Sequence, residues 1–106
     1  MFFLVMANTK EDVDDGIKMI SAISETLRFR KQNQDLDNEK ILGHIMNFIQ
    51  TKKSEKTKLL MITAASKALS IAERSPRLDD KMIIRQVMAD FPSMFNIVEE
   101  TINMKR

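Results

Sequence analysis

Ser54–Arg74, SEKTKLLMITAASKALSIAER, is the stretch that decides the fold. It opens with Ser54 as a helix N-cap, carries Glu55 in the first turn where the helix dipole favours an anion, and stops before Ser75-Pro76. Between these ends, Leu60, Met61, Ile62, Ala64, Ala65, Ala68, Leu69, Ile71 and Ala72 cover more than half of the helical circumference. A helix so widely apolar has to be enclosed by neighbours, and its alanines let their backbones come close. The segment predicts a central helix with others packed around it.

Upstream, Asn8 or Thr9 caps a first helix whose opening turns hold Glu11, Asp12, Asp14 and Asp15 and whose end holds Arg28, Arg30 and Lys31. Val13, Ile17, Ile20, Ser24 and Leu27, with Ile23 at the flank, recur three and four residues apart and predict the face turned to the core. After a polar stretch from Lys31 to Asp35, a second helix capped by Asp35 or Asp37 carries Ile41, Leu42, Ile45, Met46, Phe48 and Ile49. Downstream, Asp79 caps a fourth helix with Ile83, Ile84, Val87, Met88 and Phe91 on one face, ending at Pro92. Ser93 is then expected to cap a last helix bearing Met94, Phe95, Ile97, Val98, Thr101 and Ile102.

The 106 residues contain only two Gly and two Pro, too few for the many turns of a sheet protein. The expectation is an all-α fold, a compact bundle of four to five short helices forming one domain over residues 1–106, with an apolar N-terminal segment at 1–7. Without cysteine there is no disulfide or thiolate site, and a reducing, cytoplasmic location is expected. The run Phe2–Met6 is too short to span a membrane.

Chemistry finds little foothold. Asp35, Asp37 and Glu39 alternate like the start of a calcium loop, but Lys40 stands where the sharp turn needs Gly and Met46 where a bidentate Glu is needed. His44, the only histidine, is placed beside Phe48 at the edge of the second helix's apolar face, with no visible second member of a catalytic pair. Two glycines cannot build a phosphate or dinucleotide loop. No enzyme, no metal and no cofactor are expected. The spacing of Ile84, Val87, Ile97, Val98 and Ile102 about a break at Asp90–Ser93 resembles a helix-turn-helix, which would imply DNA docking. It departs from that pattern at Pro92, near the usual turn Gly, and at Glu99 and Glu100, which would face phosphates.

Two surfaces carry the functional expectations. Residues 51–77 hold seven bases against two acids: Lys52, Lys53, Lys56 and Lys58 gather at the start of the third helix, and Lys56, Lys67 and Arg74 line one polar face with Thr63 and Ser70. Cations sit poorly at a helix N-terminus, so Lys52, Lys53, Lys56, Lys67 and Arg74 are candidate ligands for an anion or nucleic acid, a partner class that is not favoured because no aromatic side chain is interleaved for stacking. Phe2, Phe3, Leu4 and Val5 are the candidates for self-association, since five apolar residues before a helix cap need a surface. Met19, Met46, Met61, Met82 and Met88 read as core filler, and Met1, Met6 and Met104 as exposed. The preferred function is a non-catalytic helical protein that acts through protein–protein contact, as a homodimer.

Overall fold

A computed structural model describes residues 10–49 and 54–104. Five helices make up these residues: α1 Lys10–Gln32, α2 Asn38–Ile49, α3 Glu55–Arg74, α4 Asp80–Ala89 and α5 Phe91–Met104. No strand occurs among them, and the whole is a compact all-helical bundle.

Side-chain caps set the helix starts as the sequence indicates. Asp37 Oδ1 accepts from Lys40 N at 3.0 Å, Ser54 Oγ from Thr57 N at 3.3 Å, and Asp79 Oδ1 from Met82 N at 2.9 Å. Each satisfies one backbone donor that the first turn would leave open. The last boundary differs from expectation. The chain breaks at Asp90, whose carbonyl accepts from Met94 N, and Phe91, Pro92 and Ser93 all lie inside α5. Proline is tolerated there because a first-turn N–H has no helical partner to lose.

Helix α3 is the centre. It packs on all four others, and Leu60, Met61, Ala64, Ala65, Ala68, Leu69, Ile71 and Ala72 are buried along it. One of its faces meets Met19, Ile23 and Leu27 of α1, Ile83 and Val87 of α4 and Met94 and Val98 of α5. The other meets Ala22 of α1 and Ile45 and Ile49 of α2. The alanines of α3 and Ala22 are what allow α1, the principal neighbour, to lie close.

Candidate interaction surface

The stripe expected to bury α1 does not. Val13 is 49%, Ile17 61% and Ile20 39% exposed, and Ser24 is exposed with them; of that stripe only Leu27 is buried. The face turned inward is Asp15, Met19, Ala22, Ile23, Thr26 and Leu27. On this face Met19, Ile23 and Leu27 join the cluster of Ala64, Ala68 and Ala72 of α3, and Ala22 joins that of Ala65. Of its polar members, Thr26 Oγ1 donates to Ala22 O at 2.7 Å and Asp15 Oδ1 accepts from Thr57 Oγ1 at 2.8 Å, while Asp15 Oδ2 has no hydrogen-bond partner among the described residues. Helix α1 is therefore apolar on two sides, one covered by the bundle and one open to solvent.

The open side has relief. Ser21, Ser24, Glu25 and Arg28 of α1 and Phe48 of α2 line a shallow recess of about 240 Å³ directly beyond Ile17 along the helix. Arg28 is fixed at its rim, with Nη2 and Nε on the two oxygens of Glu25 at 2.6 and 3.1 Å and Nη1 on Gln32 at 2.9 Å. Asp14 is exposed at the other end of the stripe.

Glu25 also reaches across to α2, where its Oε2 lies 2.8 Å from His44 Nε2, and the imidazole stacks on Phe29 at 3.8 Å. The sequence left His44 without a partner; the partner is nineteen residues upstream on another helix. Because Glu25 holds its ring nitrogen and Phe29 covers one face, His44 clamps α2 to α1. The Arg28 guanidinium, and then the His44 hydrogen bond, hold the Glu25 carboxyl below its ordinary value of 4.5, against the opposing effect of burial. A depressed folded-state pKa gives stability that is present in full above the unfolded value and is lost as pH falls through the folded one. Glu25→Gln is therefore expected to flatten the loss of melting temperature on acidification below about pH 4.5, as followed by circular dichroism at stepped pH.

The basic face is largely spoken for within the chain. Lys56 is half-buried, with Nζ 3.9 Å from Asp15 Oδ2, 3.5 Å from Glu99 Oε2 and 4.1 Å above the ring of Phe95. Lys67 pairs with Asp90 at 3.1 Å. Arg74 is exposed, its Nε on its own helix's Ser70 O at 3.4 Å. Thus an anion does relieve the cation at the start of α3, and the protein supplies it as Asp15 and Glu99. Lys52 and Lys53, like Phe2, Phe3, Leu4 and Val5, lie outside the described residues. Among the methionines, Met19 and Met61 are core as expected and Met88 is half-buried, but Met46 and Met82 are exposed.

Two other concavities are larger, and one of them, of about 420 Å³, is an apolar groove between α2 and α3 lined by Met46, Ile49, Leu59 and Ile62 with Gly43, Asn47 and Lys58. A polar cleft of about 480 Å³ at the α1–α2 turn mixes Arg30 and Lys31 with Asp37 and Glu73, so no one charge dominates it. No group of three or more potential metal-ligating side chains, and no helix long and apolar enough to cross a membrane, occurs among the described residues. The chain matches no protein-family model, no curated protein and no solved structure.

Proposed function

We propose that the protein is a non-catalytic helical interaction module that self-associates as a homodimer through the open face of α1, in a reducing, cytoplasmic setting. The observation that carries this reading is the exposure of Val13, Ile17 and Ile20 in a row on a helix whose opposite face is fully packed. Scattered exposed apolar residues are ordinary, whereas three branched ones on adjacent turns make a continuous strip that water disfavours. Polyanion binding is less well supported, since Lys56 and Lys67 already face carboxylates of the same chain.

The test is sedimentation velocity of the wild type and of Ile17→Lys. The wild type is expected as a dimer and the variant as a monomer of unchanged helicity, because the side chain replaced takes no part in the core. Removing two isoleucines from the interface, one per protomer at about 1.5 kcal/mol each, weakens association by roughly a hundredfold. Identical sedimentation of the two proteins as monomers or as dimers would overturn the proposal.

A further inference from the structure

Two copies of α1 can meet on this face in parallel or antiparallel, and three features of the surface select one arrangement. The first is charge. Beside the stripe the exposed Asp14 lies near the start of α1 and the exposed Arg28 near its end, while Lys31 is held by Asp80 at 2.9 Å. A parallel pair sets like ends together; an antiparallel pair sets acid against base and also opposes the two helix dipoles. The second is shape, because the same molecule carries both the exposed Ile17 and a recess one to two turns further along, lined by Ser21, Ser24, Glu25, Arg28 and Phe48. The third is symmetry: a two-fold interface has to be self-complementary, so a knob and its recess must both lie on each copy.

One register satisfies all three. With the two-fold axis at Ile20, that residue meets its own symmetry mate. Ile17 then falls opposite position 23, between Ser21 and Ser24 of the other copy, and enters the recess. Asp14 falls opposite position 26, two residues or about 3 Å along the axis from Arg28. Asp14 and Arg28 lie on the same flank of the stripe, and in an antiparallel helix pair like flanks face each other. The small side chains of Ser21 and Ser24 let the helices approach where the isoleucines enter. The seam runs along a helix of 23 residues, about 34 Å at 1.5 Å per residue, nearly the full 41 Å length of the bundle.

Building on the self-association reading, we infer that the partner of α1 is the α1 helix of a second copy, packed antiparallel about a two-fold axis near Ile20, with Ile17 seated in the Ser21–Ser24–Phe48 recess and Asp14 beside Arg28. Arg28 is presented for this contact by Glu25 and Gln32, which hold its guanidinium in place.

The natural chain has no cysteine, so single thiols report orientation without ambiguity. Asp14→Cys and Arg28→Cys are prepared separately, confirmed as folded by circular dichroism, and treated with a short bis-maleimide alone and as an equimolar mixture. The antiparallel arrangement gives the 14–28 cross-linked dimer as the main product of the mixture, and little dimer from either variant alone. Efficient 14–14 and 28–28 products would overturn the antiparallel inference while leaving self-association standing. No cross-link, with a dimer in sedimentation, would show that the copies meet elsewhere and overturn it as well. No cross-link, with wild-type monomer in sedimentation at all concentrations, would overturn the self-association reading itself.

Discussion

Ala68→Glu is expected to abolish the fold at room temperature. Ala68 is fully buried on α3, in the cluster that joins α1, α3, α4 and α5. Its methyl group occupies a place where helices approach closely, so a glutamate there has neither room nor a route to water. Breaking or introducing an uncompensated buried charge costs about 3 to 5 kcal/mol, and overpacking adds about 1 to 3. The sum is comparable to the whole stability of a domain this size, about 5 to 15 kcal/mol. Urea denaturation with far-ultraviolet circular dichroism checks it: the variant should show no cooperative transition, and Ala68→Ser, which adds one hydroxyl able to bond a carbonyl one turn back, should retain one at a lower midpoint. A cooperative Ala68→Glu with a wild-type midpoint would show that α3 is not enclosed.

The centrality of α3 was legible because its apolar arc is too wide to admit another reading. The same logic failed on α1, and the reason is physical. The inward face mixes Met19, Ile23 and Leu27 with Asp15, Ala22 and Thr26, so it does not stand out over the stripe of Val13, Ile17 and Ile20 by transfer energy alone. What decided the matter is fit to α3, where Ala22 clusters with Ala65 and the buried Thr26 is bonded within its own helix. A helix with one strongly hydrophobic stripe and a second of small or internally satisfied residues is the pattern that could have revealed two faces. The caps at Asp37, Ser54 and Asp79 were legible since capping is local. The pairs His44 with Glu25 and Lys56 with Asp15 and Glu99 were not, because they depend on how helices far apart in sequence cross. The lysine at the start of α3 did register as a misfit, and a misfit of that kind signals only that some anion is near, whether from a ligand or from the chain itself.

That misfit leads to the second large effect. Lys56→Met is expected to destabilise the protein by about 3 to 5 kcal/mol, far more than Lys67→Met, whose surface pair with Asp90 is worth about 0 to 1 kcal/mol. The difference lies in the acid left behind. Asp15 is 2% exposed, and although Thr57 donates to its Oδ1, its Oδ2 has no hydrogen-bond partner among the described residues and faces the Lys56 ammonium at 3.9 Å. Without that ammonium the carboxylate stays buried between α1 and α3 with its charge uncompensated, and α5 loses the cation that lies between Glu99 and the ring of Phe95. The cost belongs to the charge of Asp15 and not to the shape of Lys56. Asp15→Asn combined with Lys56→Met should then be more stable than Lys56→Met alone, a coupling that a double-mutant cycle in urea reads directly. Equal midpoints for Lys56→Met and Lys67→Met would mean that Asp15 has water for company, and that α1 and α3 are held together by their apolar faces alone.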